Sequence, residues 1–452
     1  MDLKNRRVLV VGLARSGVAA AKLLHKMGAQ VVTNDASPRD SLRFAIETLQ
    51  PLGIPVVSDG HPFTLLDSTS LIVKNPGIPY HMPLIAEAMA RDIPIITEVE
   101  LAFHATHTPI IGITGSNGKT TTTSLVGAMF LKAGIPARVA GNIGVPLSEA
   151  VLSSQDESAL IVELSSFQLQ GTRDFRPHIA TVLNLYPTHL DYHGDFEAYV
   201  RAKEKICIRQ GQDDWLVLNM DNEHTRHFAD HARAKVIWFS RLAPVPRGAY
   251  VYENHIYVRE AEGAPPICLL SMDQIKLPGT HNLENILAAT ATAFYAGVPL
   301  EAIVATLQTF RGVEHRLEFI RCVDGVDYYN DSKATNPKAA LSAIRALAKP
   351  LVLLLGGLER GDDLKELSEG LRGRAKAVIA LGQSRERMAD AARQAGVPEV
   401  HIASSFSEAV ALAAQTAQHG DAVLLSPAAA SWDQFKSFEE RGCIFKKLVN
   451  KL

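Results

Sequence analysis

At 452 residues, with 47% hydrophobic and 21% charged side chains, the chain is too long for one core and suits about three domains of ~150 residues. A formal net charge of -2 argues against a dominant nucleic-acid-binding surface. Cys207, Cys268, Cys322 and Cys443 lack C-x-x-C spacing, the start lacks an h-region, and no apolar run reaches membrane-spanning length, so the expectation is a cytoplasmic protein without disulfides, zinc site or membrane insertion.

Val8 to Val11 reads as a buried strand, followed by the turn Gly12-Leu13-Ala14-Arg15-Ser16-Gly17 and a helix from Val18 to Met27 closed by Gly28. Val31 to Thr33 makes the next strand and ends at Asn34-Asp35, and Leu71 to Val73 precedes Asn75-Pro76-Gly77. A dinucleotide fingerprint needs glycine at positions 12, 14 and 17, and Ala14 breaks it. From spacing alone, this turn with Asp35 reads equally as a nicotinamide site or a structural turn.

A second unit starts near Glu98, with a strand at Pro109 to Ile113, a glycine-containing loop and a helix running to Gly134. Further strands are predicted at 159–162, 179–185, 215–218 and 236–239, a hairpin at 250–258 around Asn254, and a helix at 282–295. The third unit follows Arg311-Gly312, with strands at 326–329, 351–355, 377–381 and 422–425 separated by helical stretches. Predicted domains are thus 1–98, 99–312 and 313–452, all α/β, with ligand-binding segments expected after the strands.

The most informative segment is Thr114-Gly115-Ser116-Asn117-Gly118-Lys119-Thr120-Thr121-Thr122. Small residues let consecutive N–H groups face an anion, Lys119 reaches outer phosphates, and the Thr120 hydroxyl suits Mg²⁺. A strict P-loop wants glycine where Ile113 stands, so the strand–loop–helix context carries the reading; the bland alternative is an ordinary glycine turn. Glu163 closes an apolar strand and reads as a Mg²⁺ contact or a solvated acid. His189 and His193 have zinc-like i, i+4 spacing but no third ligand follows, and Lys203 alone reads as a solvated helix lysine.

The loop T-G-S-N-G-K-T-T resembles the ATP loop of the Mur ligases and their folylpolyglutamate synthase relatives. Glu163 to Leu169, Gly279 to Asn285, Asn330 to Pro337 and Leu425 to Phe435 resemble the D-glutamate-adding branch, so the likeness covers essentially the whole chain. It implies a Rossmann-like N-terminal domain for the UDP end, a central P-loop-type ATPase domain and a Rossmann-like C-terminal domain for the amino acid. The implied substrates are UDP-N-acetylmuramoyl-L-alanine and D-glutamate, joined as an amide at the expense of ATP with Mg²⁺, by a monomer.

The same resemblance implies the residue roles. Gly12, Leu13, Ser16, Gly17 and Asp35 would hold UDP instead of a nicotinamide, and Asn142 would face the acyl substrate and phosphate. Gly115 to Thr122 would hold the phosphates, with Lys119, Glu163, His189 and Lys203 catalytic and Thr120, Glu163, His189 and Lys203 serving metal. Lys203 would do so as a carbamate, and His193 would be structural. His281, Asn282 and Asn285 would meet adenine, although helix capping also explains Asn282. Arg316 and Asp331 would reach phosphate and ribose when the C-terminal domain closes. Lys333, Thr335, Ser431 and Phe438, with Arg360 nearby, would form the amino-acid pocket, where cations suit two carboxylates.

Ligases adding L-alanine, a diamino acid, a dipeptide or folate-bound glutamate fit Asn330 to Pro337 and Ser426 to Phe435 poorly; L-glutamate on the same nucleotide stays open. A non-catalytic nucleotide-binding regulator is disfavoured by the joint presence of Lys119, Glu163, His189 and Lys203. A nicotinamide oxidoreductase fails on Ala14 and leaves the phosphate loop without a role.

Overall fold

The computed structural model describes residues 1–452 apart from Gln155, Pro278, Gly279 and Arg360 and the side chains of Thr280 and His281. Arg360, expected near the amino-acid pocket, therefore lies outside the described residues, as does the side chain of His281. Three sheets carry the chain. The first is wholly parallel, in the order Val56–Val57, Gln30–Asn34, Arg7–Val11, Leu71–Lys74, Ile95–Ile96. Its inner strands read Val-Leu-Val-Val and Leu-Ile-Val because both faces are covered by helices.

The second sheet has nine strands, with Ile110–Thr114 flanked by Ala159–Glu163 and Ile179–Val182. Ala137–Gly141 forms one edge, and the antiparallel strands Gly248–Tyr252, His255–Arg259 and Ile267–Ser271 finish the other. The expected hairpin turns at Glu253 and Asn254, with φ of 43° and 62°, the left-handed pair that a two-residue hairpin requires. The expected strand at 179–185 pairs only as Ile179–Val182, because Asn184 bends its side chain back to the phosphate loop. Ala137–Gly141 was not anticipated, since Ala-Arg-Val-Ala-Gly is short and mostly half-buried.

One hydrophobic cluster runs from the first sheet into the second through the helices Arg15–Lys26, Glu98–His104 and Leu147–Leu152, making Met1–Phe310 one compact unit. Arg311–Leu452 forms the other around a six-stranded sheet, with only Glu318–Val323 antiparallel at its edge. No helix among the described residues is long and apolar enough to cross a membrane.

Candidate active site

The phosphate loop leaves the strand Ile110–Thr114 between neighbours reached from opposite chain directions, the switch point where open α/β sheets bind ligands. Gly118 has φ +83°, and a Cβ there would lie 2.0 Å from Asn285 Oδ1, so only glycine fits. Asn117 N–H donates to Asn184 Oδ1 at 2.8 Å, and Ser116 Oγ meets Tyr199 Oη at 2.7 Å. These bonds pin the loop from its far side. Lys119 opens the helix Lys119–Lys132, and its Nζ donates to the carbonyls of Gly115 at 2.8 Å and Ser116 at 2.9 Å. The ammonium thus arches over the loop, where an outer phosphate would exchange for the carbonyls. Thr121 is half-buried, while Thr122 is fully buried beneath the helix start.

Glu163 gathers the next residues. Its Oε2 accepts from Thr120 Oγ1 and its Oε1 from Asn142 Nδ2, both at 2.8 Å, although the residue is only 1% exposed. A hydroxyl and a buried carboxylate so placed form an oxygen set suited to a hard divalent cation. Lys203 is equally buried and donates to Thr114 Oγ1 at 3.1 Å and Gly115 O at 2.9 Å. Burial, reinforced by Lys119 and opposed by Glu163, pushes its ammonium well below the ordinary lysine range. Its side chain is therefore disposed toward the neutral amine.

His189 is exposed in a left-handed conformation, φ 56°, with its ring 5.0 Å from that of Phe167. His193 packs between Phe167, Tyr192 and Tyr199, meets Ser166 Oγ at 3.0 Å, and is lowered by burial and then by His189 and Lys203.

Two cavities flank this cluster. One of about 390 Å³ is lined by Asn117, Gly118, Asn184, Arg241, Glu284 and Asn285, and Asn285 Nδ2 donates to Asn282 Oδ1 at 3.1 Å. The other, about 560 Å³, runs from Ala14, Ser16 and Asn75 past Glu98 to Asn142 and Phe167. At its first end Gly12 has φ +90°, and a side chain on Gly17 would meet the Gly12 carbonyl at 1.9 Å. Leu13 N–H donates to Asp35 Oδ2 at 2.7 Å; burial raises Asp35, but the N–H groups of Leu13 and Ser37 outweigh it and hold the carboxyl below its ordinary value. Ser16 Oγ accepts from Asn75 Nδ2 at 3.0 Å, across the first sheet's own switch point.

In the C-terminal unit Asp331 accepts from Ser426 Oγ at 2.7 Å and Leu317 N–H at 3.1 Å, and burial pushes it up to about 6 despite Arg316. Lys333 Nζ lies 5.9 Å from the Phe438 ring centre, Thr335 N–H bonds the Lys333 carbonyl, and Ser431 is buried. Arg441, absent from the sequence reading, is fully buried; it donates through Nε to Ser332 Oγ and through Nη2 to the carbonyls of Ser332 and Ala429. It fixes the strand-end loops beside Lys333 and Ser431. Asn75 and Asn184 were also missed, though each follows a parallel strand, the position where a polar residue signals a site.

The models described as Mur ligase MurD-like, N-terminal domain; Mur ligase middle domain; and Mur ligase, glutamate ligase domain match residues 6–97, 113–293 and 315–429. A UDP-N-acetylmuramoylalanine--D-glutamate ligase of Geobacillus sp. (strain WCH70) is 46% identical over 99% of this chain and 98% of its own. The protein of the same name from Streptococcus pneumoniae (strain Taiwan19F-14) is 46% identical over 100% of this chain and 98% of its own. The chain belongs to the Mur ligase family. This Mur ligase also shares its fold with MurF from Acinetobacter baumannii (TM-score 0.55, 18% identity, 98% of this chain and 93% of that one). UDP-N-acetylmuramate-alanine ligase MurC from Thermotoga maritima is similar at TM-score 0.54 and 18% identity, over 98% and 99% of the two chains.

Proposed function

We propose that this Mur ligase adds D-glutamate to UDP-N-acetylmuramoyl-L-alanine in peptidoglycan precursor synthesis, converting ATP to ADP and phosphate. One observation carries the proposal: Asn142 lines the long cleft and also bonds Glu163, which bonds Thr120 of the phosphate loop. A carboxylate reaching down the cleft would therefore end where the phosphate chain ends. The nucleotide substrate's carboxylate attacks the γ-phosphorus and ADP leaves; the amine of D-glutamate then displaces phosphate from the acyl carbon and loses a proton. Two anions must approach, and Lys119 with the loop N–H groups lowers their repulsion.

Bound Mg²⁺ would neutralise phosphate charge. Thr120 and Glu163 would supply its oxygen contacts, and His189 and a carbamylated Lys203 would serve a second ion. The carbamate fits this chain because the Lys203 amine is buried and disfavoured as a cation. Gly12, Leu13, Ser16, Gly17 and Asp35 hold the UDP end, and the Asn282–Asn285 pair faces adenine. Arg316 and Asp331 serve ATP, and Lys333, Thr335, Ser431 and Phe438 serve the amino acid. The working boundaries are 1–98, 99–312 and 313–452, and the location is cytoplasmic. The choice of D-glutamate is supported by the names of relatives 46% identical over nearly the full chain.

The test is phosphate release from ATP with UDP-N-acetylmuramoyl-L-alanine and, separately, D-glutamate, L-glutamate, L-alanine or lysine, with product mass measured. Turnover with D-glutamate alone is expected. Turnover with L-glutamate alone would overturn the stereochemistry, and silence with all four would overturn the reaction.

A further inference from the structure

Lys74 ends the strand Leu71–Lys74 in the first sheet and is 1% exposed, yet it forms no ion pair with a carboxylate among the described residues. Its Nζ donates to the carbonyl of Ile78 at 2.8 Å, to those of Asn75 and Pro76 at 3.4 Å, and to Tyr192 Oη at 3.3 Å. The ammonium also lies 4.5 Å from the centre of the Tyr80 ring. Tyr192 belongs to the short helix Leu190–His193 of the second sheet's domain, and its hydroxyl reaches the Pro76 and Ile78 carbonyls at 3.3 Å. Four acceptors thus converge on one cation, and the tyrosine comes from a segment more than a hundred residues away.

What these bonds hold is the wall of the long cleft. Asn75, Pro76 and Gly77 line it, Asn75 grips Ser16 across the opening, and Gly77 N–H returns to Asn75 Oδ1 at 3.1 Å. On its other side the Tyr192 ring stacks edge-on against Phe167 at 4.5 Å, and Phe167 lines the same cleft and touches His189. A buried cation with several carbonyl partners is an expensive way to secure a turn whose only requirement is stability, because an apolar side chain of similar volume would serve about as well. A cation facing three backbone carbonyls instead fixes the direction in which the turn presents its remaining groups to the cleft.

We propose that Lys74 and Tyr192 are positioning residues that form a clasp between the first sheet and the second, holding the Asn75–Ile78 turn in the conformation that receives the nucleotide end of the acyl substrate. The inference rests on the reaction proposed above. Neither side chain lines the cleft itself, so both act through the turn.

The decisive variant is Tyr192→Phe, which keeps the ring on Phe167 and removes one hydroxyl. Its KM for UDP-N-acetylmuramoyl-L-alanine should rise about fivefold to tenfold, while kcat and the KM values for ATP and D-glutamate stay within about twofold. Lys74→Met should raise the same KM at least tenfold, and the double variant should be no worse than Lys74→Met, since both changes open one clasp. Calorimetric binding of the nucleotide substrate to folded wild type and Tyr192→Phe reads the clasp without turnover. Unchanged nucleotide affinity in Tyr192→Phe, or an equal rise in all three KM values, would overturn the clasp even if Lys74→Met fails to fold. A wild type that neither binds nor turns over this substrate would instead overturn the reaction on which it rests.

Discussion

Thr120 Oγ1 and Glu163 Oε2 stand 2.8 Å apart, joining the first turn of the phosphate-loop helix to the end of the neighbouring strand. Asn142 closes the other carboxylate oxygen at the same distance, so Glu163 has exchanged water for two neutral donors that a cation would displace. Glu163→Gln keeps the volume and removes the charge. It should lower kcat by at least about a hundredfold and shift the Mg²⁺ activation curve to higher concentration, with a smaller change in nucleotide KM. A Mg²⁺ titration of steady-state turnover checks this, and near-wild-type kcat at saturating Mg²⁺ would remove Glu163 from the metal site.

Lys203 is buried against a carbonyl and a hydroxyl, with Lys119 as its electrostatic neighbour. Its neutral amine is the form that adds carbon dioxide, and burial beside Lys119 lowers its affinity for a proton and so favours that form. Stripping bicarbonate should lower turnover on the order of tenfold or more, and restoring it should restore the rate. Lys203→Met should be slow and insensitive to bicarbonate. A ¹³C carbamate resonance from labelled bicarbonate, absent in that variant, is the direct reading; wild type without it would leave Lys203 an ordinary buried amine.

Asp331 titrates at about 6 because burial opposes its charge more than Ser426, Leu317 and Arg316 favour it. The sign follows from the raised value: the folded chain holds the proton that the unfolded chain has released. The associated stability is complete below the ordinary aspartate value of 3.8 that holds in the unfolded chain, and is lost as pH rises through about 6. From pH 5 to pH 7.5 this group should withdraw about 1 kcal/mol of stability. Asp331→Asn should lack that fall, so urea midpoints of variant and wild type should converge or cross as pH rises. Parallel pH profiles would mean that Asp331 is ionised throughout the range.

Arg441 donates three hydrogen bonds to Ser332 and Ala429 from a fully buried position, and burial lowers its guanidinium to about 10. Arg441→Met leaves those acceptors unpaired and should destabilise the C-terminal unit by about 2–4 kcal/mol. Because Ser332 adjoins Lys333 and Ala429 lies near Ser431, the KM for D-glutamate should rise more than that for ATP. Equal effects on both would reduce Arg441 to a stabilising role.

The parts of the site legible in the sequence were those with local chemistry. Gly118-Lys119-Thr120 needs no tertiary partner to suggest phosphate, and the strands before Gly12 and Gly115 carry near-continuous apolar runs. Lys203 was different: its spacing is that of any helix lysine, and only resemblance pointed to it, since burial against Thr114 depends on a contact 89 positions away. Arg441 and Lys74 were invisible for the same reason. A cation buried on carbonyls has no periodicity, and most of its partners are backbone atoms that every residue possesses.

Gly118 offers the sharpest test of the nucleotide side of the cluster. Its φ of +83° is left-handed, which costs a side chain about 1–2 kcal/mol, and an alanine Cβ would sit 2.0 Å from Asn285 Oδ1. Asn285 cannot simply turn away, because it is buried and its amide holds Asn282. Gly118→Ala should therefore raise the KM for ATP at least about tenfold and leave nucleotide-sugar binding unchanged. Adding Asn285→Gly removes the clash but not the backbone strain, so the double variant should fold more stably than Gly118→Ala while still binding ATP poorly. If ATP binding instead returns to the wild-type value in the double variant, Asn285 contributes nothing to nucleotide recognition and its assignment to adenine fails.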